Sequence, residues 1–490
     1  MITETKNEVG YAEASLADNS IVANPDRSLR LKFITIPQFY HPYTQVVFAG
    51  CTNFLSVGMF NVLISLGGSG QVDATTASNS NTVLYALFAA LALFGGSIVN
   101  RFGAKITLAF GALGYAVYGA SFWVFNNVPK GNVSKTGGTV AVYIGGVCCG
   151  LGAATLWVAC GTVMSSYATE RQKGRFVSIF FALSFLGSVI GGIIPVAQNY
   201  NDTTASNVSD GTYIAITVLM IVGFFSGFLV ANPQHIIRSD GTRVLNAKQK
   251  SFKEEITAIY NAIKVEPYFV FFLPYAFLGL YYPAYQANDF NGYFFNTRTR
   301  SINGLLYGIS QMFGAITFGL FLDLPMLRRK VRARVGWGIL FVTVFIISLC
   351  GYFPMKESNR LVPYDPPMDL KDGSKAAKYI VLYFFYGWQD GMVQSYAFWI
   401  MGTLTNDSRV VSMYAAFYKV MGAIAAAIAF GTDARGVSYK RMYGSYWGVC
   451  LFGVLSLGVL VFKRVEDTTV VEDTPLREDV TSIKPEVMSL

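Results

Sequence analysis

The chain has 490 residues, of which 53% are hydrophobic and 14% charged, and its mean hydropathy is +0.41. Soluble domains carry about 25% charged residues, which argues against a water-soluble enzyme. The net charge of +9 reads as the loop bias of a membrane protein rather than as a nucleic-acid surface.

Residues 1–43 form a tail whose first 30 positions are polar, and no cleavable signal peptide is visible. Twelve apolar runs follow, at 44–66, 81–100, 106–125, 139–165, 176–198, 211–231, 267–288, 301–321, 335–353, 379–402, 410–430 and 442–463. Each is long enough for a hydrocarbon core of about 30 Å. Backbone groups find no water there, so each run must be a helix. The expected fold class is all-α: a polytopic membrane protein with twelve transmembrane helices in two six-helix halves, 44–231 and 267–463.

Lys and Arg are in excess in the loops on the same side as both tails, which predicts cytoplasmic termini. The sequons at Asn132, Asn201 and Asn207 then fall outside as candidate glycosylation sites, whereas Asn406 falls inside. The membrane itself, plasma membrane or endomembrane, is left open.

Between the halves, 232–266 is a linker. Its stretch "SFKEEITAIYNAI" has a Ser251–Glu254 capping box and apolar residues at Phe252, Ile256, Ile259 and Ile263. That spacing predicts an amphipathic helix lying on the membrane surface. Residues 464–490 are acidic and poor in apolar side chains, which predicts disorder.

The halves echo each other. "PY" at 42–43 recurs at 267–268, "NTVLY" at 81–85 recurs as "NGLLY" at 303–307, and "GSIVN" before Arg101 matches "GLFLD" before "RRKVRAR". Parallel six-helix repeats with a basic loop after each second helix are the layout of the major facilitator superfamily. "GSIVNRFGAK" resembles that superfamily's gating-loop signature but carries Asn100 where an acid is expected. The second half keeps the acid as Asp323. Asn100, Arg101, Asp323 and Arg328 are therefore candidate gating residues.

Away from helix ends, two ionisable residues stand out: Asp390 and Lys419. Each costs about 2.5–3.5 kcal/mol at a helix centre. Asp390 lies too deep to snorkel, and counting through the short loop at Asn406 puts Lys419 at a depth differing by about 4.5 Å. The expectation is a midplane ion pair or a shared water-filled cavity, serving either as a static lock or as a cation or proton site. Gln389, Gln394 and Trp388 flank Asp390. Asn53 and Ser56 on helix 1, with Tyr285 and Gln286 at the Pro283 break of helix 7, complete the candidate site for a small solute or cation. Polar residues in membrane helices also serve as interhelical glue.

"LGGSGQ" (66–71) lacks the Lys-Ser/Thr of a phosphate loop. The six cysteines lie in or beside predicted helices and read as small apolar residues. The two histidines are far apart in sequence, so no metal site, cofactor or catalytic constellation is expected. The partners implied are the lipid bilayer and an unknown small solute or cation, with no nucleic acid.

Three segments carry a family resemblance: "HPYTQVVFAGCTNFLSVGMFNVLISLGGSGQ" (41–71), "NDFNGYFFNTRTRSINGLLYGISQMFGA" (288–315) and "YGWQDGMVQSYAFWIMGTLTNDSRVVSMYAAFYKV" (386–420). The chain resembles the uncoordinated-93 (Unc-93) family, particularly its fungal members. The resemblance implies a major-facilitator fold with one of two roles: a transporter, or a non-transporting regulatory or trafficking subunit of an ion channel or membrane receptor. Relatives linked to potassium balance make ion homeostasis an expectation of the resemblance.

Overall fold

The computed structural model describes residues 39–238 and 266–467 apart from 72, 93, 129–131, 169–171 and 406–407, with short stretches at 29–31 and 34–36 and the single positions Thr257 and Lys264. The linker helix expected over 251–263 and the Asn406 sequon lie outside the described residues.

Twelve helical segments cross the fold. They are α1 (Pro42–Ser65), α2 (Ala74–Ala92), α3 (Gly95–Asn127), α4 (Asn132–Ser166), α5 (Lys173–Asn199) and α6 (Asp210–Gly227). Then come α7, α8 (Thr297–Leu322), α9 (Arg329–Glu357), α10 (Ser374–Leu404), α11 (Ser408–Ala434) and α12 (Tyr439–Arg464). A short antiparallel hairpin, β1 (Leu29–Leu31) with β2 (Ile34–Ile36), precedes them.

Nine of these helices, among the described residues, are long and apolar enough to cross a membrane. The remaining three are more polar or broken for identifiable reasons. α2 is diluted by Thr, Ser and Asn, α10 carries Asp390 at its middle, and α7 is interrupted. α7 begins as a 3-10 turn (Pro267–Phe272), continues as an α-helix (Leu273–Leu278), and loosens beyond Pro283 into π-helical turns (Ala284–Asn291) before Gly292–Phe294. Proline removes a backbone donor, and the wider turns bury Gln286, Asn288, Asp289 and Asn291.

Several helices run past their expected limits. Hydropathy ends a span where charges begin, but the backbone ladder continues if those charges find partners. Asp289 thus lies within α7, Arg298 and Arg300 open α8, and Asp433 ends α11. The second span, expected over 81–100, is shifted: α2 ends at Ala92, and the basic segment expected as a loop starts α3, which breaks at Gly103 (φ 80°).

α8 and α10 approach closely because small residues line their contact. A Cβ on Gly387 would meet the Tyr307 carbonyl at 2.5 Å, and one on Gly391 would meet the Ala315 nitrogen at 2.7 Å. Overpacking of this kind costs about 1–3 kcal/mol. Gly391→Ala is therefore expected to lower thermal stability and push α8 away from Asp390. Gly402→Ala, which nothing approaches within 4 Å, is expected to lose none. Matching melting temperatures for the two variants would refute the close-contact argument.

Candidate functional site

The loops on one face join α1 to α2, α5 to α6, α7 to α8 and α9 to α10; this is the loop face. The opposite, terminal face is where Gln45 receives Ala231 N–H (2.6 Å) and Glu266 pairs with Arg464 (2.5 Å).

Midway along α10, the Asp390 carboxylate is 5% exposed and takes donors from three helices. Oδ1 accepts the Tyr282 hydroxyl of α7 and Gln394 Nε2 (2.7 Å). Oδ2 accepts Gln311 Nε2 (2.6 Å) and the Tyr307 hydroxyl (3.3 Å), both from α8. An ionised carboxylate only accepts and has about four lone-pair sites; neutral donors take three of them, and the single Tyr307 proton is shared with Gln286 Oε1 (3.2 Å). The broken α7 supplies Tyr282, and the glycine contact between α8 and α10 brings Gln311 into reach.

Asp390 lines a cavity of about 140 Å³ together with Asn53, Gln286, Gln311, Gln394 and Lys419. The expected ion pair is not formed: among the described residues none joins Asp390 to Lys419. Equal depth does not fix the direction of a side chain around its helix. The Lys419 ammonium instead sits over the Trp157 ring of α4 (4.4 Å), with Tyr418 at 5.8 Å and Phe181 of α5 and Phe398 of α10 each at 6.0 Å. Both residues nevertheless face one cavity.

The other expected site residues divide. Asn53 and Gln286 line the cavity; Asn53 donates to the Ser184 hydroxyl, and Gln286 donates to Tyr446 (3.2 Å). Ser56 does not line it, because its hydroxyl turns back to the Thr52 carbonyl of its own helix. Tyr285 stacks on Tyr446 (5.7 Å), and Gln389 is buried, both outside the cavity lining. Trp388 faces α8, its Nε1 donating to Thr317 (3.5 Å).

The candidate gating residues are not gathered into one relay. Arg101 is exposed, Asp323 is an exposed cap of α8 without an ion pair among the described residues, and Arg328 is exposed before α9. The Asn100 side chain lies outside the described residues, as does that of Asn132. Asn201 and Asn207 are exposed on the loop face, Asn207 donating to Asn126 (3.0 Å).

The loop face holds what the sequence reading missed. Arg300, 1% exposed, donates to the Leu66 carbonyl (3.0 Å), the Gly67 carbonyl (2.9 Å) and the Gln71 carbonyl (3.2 Å). Positive φ at Gly67 (76°), Gly68 (55°) and Gly70 (89°), and at Ser69 (50°), wraps this loop around the guanidinium. "LGGSGQ" is thus a cradle for a cation. Beside it, Asp433 accepts from Ser78 of α2 (2.6 Å) and Asn288 of α7 (2.9 Å), while Arg360 bridges Asp433 (2.5 Å) and Asp289 (2.7 Å).

At the loop-face end of α8, Arg298 pairs with Asp369 of the α9–α10 loop, outside the spans. Burial pushes the Asp369 carboxyl up, but the Lys371 N–H, Arg298 and Asn296 outweigh it and hold the group below the ordinary carboxylate range. That contribution is present at neutral pH and is lost as pH falls through the lowered value.

Comparisons with known proteins agree with this architecture. A family model described as Major Facilitator Superfamily matches residues 46–430. An UNC93-like protein of Schizosaccharomyces pombe is 35% identical over 466 residues, covering 94% of this chain and 90% of the relative. The chain belongs to the UNC93-like proteins of the major facilitator superfamily. UNC93-like protein 1 of Arabidopsis thaliana is 33% identical over 431 residues, covering 88% of this chain and 92% of the relative. Among solved structures, a D-xylose-proton symporter aligns with a TM-score of 0.59 at 13% identity, covering 86% of this chain and 97% of that one. A bacterial homologue of the iron transporter ferroportin, in an outward-facing state, aligns with a TM-score of 0.56 at 14% identity, covering 86% and 98%. These identities speak for the fold alone. The UNC93-like chain is a transporter-like integral membrane protein.

Proposed function

We propose that this UNC93-like protein is a secondary transporter that carries a small solute by alternating access, its halves 44–231 and 267–463 rocking about the central cavity. The observation that carries the reading is a mid-depth cavity, lined by helices of both halves, that holds two ionisable side chains. A scaffold has no need of such an interior.

The contrast between the two faces supports the same reading. Directed hydrogen bonds join the first six helices to the last six on the loop face: Arg300 donates to Gly67, Asn288 to Ser78 and Tyr383 to Ser65, while Gly68 N–H donates to Asn288. Toward the terminal face, ring contacts join them: Phe181 with Phe398 (5.0 Å) and Trp157 with Lys419 (4.4 Å). In this reading the terminal face, with the tails 1–43 and 464–490, is cytosolic, and Asn201 and Asn207 face outward as glycan acceptors. Asp390 organises the cavity wall rather than gripping a free cation, since both of its oxygens are held by neutral donors.

The test is counterflow into proteoliposomes containing the full chain, in a background without native cysteines. Ser78→Cys with Asp433→Cys would staple α2 to α11 across the loop face. Saturable flux that stops on oxidation and returns on reduction is expected. The competing role, a regulatory or trafficking subunit of a channel or receptor, wins if the chain yields no flux and instead co-purifies stoichiometrically with one membrane partner.

A further inference from the structure

The cavity contains two ions, and their valences are spent differently. Neutral donors, Tyr282, Gln311 and Gln394, take up the Asp390 carboxylate. The Lys419 ammonium, a three-donor group, gives no hydrogen bond or ion pair to any described residue and meets aromatic faces instead. Such contacts contribute about 0.5–2 kcal/mol, less than an uncompensated ammonium loses on leaving water. Asp390 faces the same cavity and its oxygens go to neutral donors, so the hydrogen-bonding capacity left open there is that of the ammonium.

The walls limit what can meet the ammonium. The cavity lining is mixed, with Asn53, Asn61, Gln286, Gln311 and Gln394 among it, but the wall beside Lys419, from Trp157 and Phe181, is aromatic.

We propose that the ligand carries a carboxylate that Lys419 holds, with the adjoining carbon chain against Trp157 of α4 and Phe181 of α5. This rests on reading the cavity as a substrate site. Binding exchanges weak cation–π contacts for a charge-assisted hydrogen bond. Because Trp157 and Phe181 come from the first six helices and Phe398 and Lys419 from the last six, a bound carboxylate also draws Lys419 out of the ring cluster that joins them.

The test uses the full chain in lipid nanodiscs, with sodium propionate, propionamide and methylammonium chloride at matched ionic strength. Propionate should raise the melting temperature saturably, whereas the neutral amide and the cation should not. Lys419→Met should weaken propionate binding about tenfold or more, and Lys419→Arg should retain most of it. Equal stabilisation by propionamide or methylammonium overturns the assignment, and the wild-type series decides this even if Lys419→Met does not fold. Undiminished propionate binding by Lys419→Met overturns it as well. Saturable propionate binding without counterflow upholds the ligand class and removes the transporter reading, so the two claims fail separately.

Discussion

Replacing Arg300 with methionine is expected to open the loop face. The guanidinium is buried and satisfies three carbonyls of the α1–α2 loop, at Leu66, Gly67 and Gln71. Hydrogen bonds to a charged group contribute about 1.5–3 kcal/mol each, and orphaned buried carbonyls add a desolvation penalty. Removing a large ion from the protein interior recovers part of that loss, leaving a net effect of about 3 kcal/mol. The loss falls on the closed form, because these bonds cross between the first and last six helices. About 3 kcal/mol corresponds to roughly a hundredfold shift toward the open form. With Ser69, 1% exposed, changed to cysteine, labelling by an impermeant maleimide from the loop-face side should accelerate at least tenfold. Arg300→Lys should fall between, since an ammonium cannot reproduce the planar fork that reaches three separate carbonyls. An unchanged labelling rate in Arg300→Met would show that the seal lies elsewhere.

The origin of that seal explains what the sequence could and could not disclose. The twelve crossings were legible because lipid leaves the backbone no alternative to a helix. Their ends were not. Asp289, Arg298, Arg300 and Asp433 read as loop charges to any hydropathy window, yet each is buried in a helical end by a partner remote in sequence. The glycine-rich "LGGSGQ" signalled an unusual turn but not its occupant, since carbonyls pointing inward and amides pointing inward can arise from similar composition. Arg300 does fall within the family-like segment 288–315, and that was the available signal.

Asp390 was legible in depth, because depth follows from counting residues. Its partners were not, because Tyr282, Tyr307 and Gln311 arrive from helices whose rotation depends on the Pro283 break and on Gly387 and Gly391. The reading of an ion pair failed for the same reason. Depth is one coordinate, and the direction of a side chain around its helix is another.

Asp390→Asn is expected to be severe, and Lys419→Met is expected not to rescue it. The amide offers one acceptor oxygen and one donor nitrogen where the carboxylate had two acceptors. Whichever way it turns, one glutamine amide, Gln394 or Gln311, faces another donor, and the tyrosine hydroxyl beside it must turn from donor to acceptor. Losing two charge-assisted bonds costs about 3–6 kcal/mol, enough to deplete the folded protein in cells. Asp390→Leu, which removes both acceptor oxygens, should be worse. A static pair predicts recovery when both charges are removed, because the lone buried charge is then gone. Here the donors remain, so Asp390→Asn with Lys419→Met should regain less than half of the stability lost by Asp390→Asn alone, measured as melting temperature in nanodiscs. The compensating change should lie among the donors: Gln311→Glu in the Asp390→Asn background supplies an acceptor for the new amide and returns a carboxylate to the wall. Recovery by Lys419→Met but not by Gln311→Glu would restore the ion pair as the organising interaction. Recovery by Gln311→Glu alone would assign the fold's tolerance of a buried carboxylate to the donors of α7, α8 and α10.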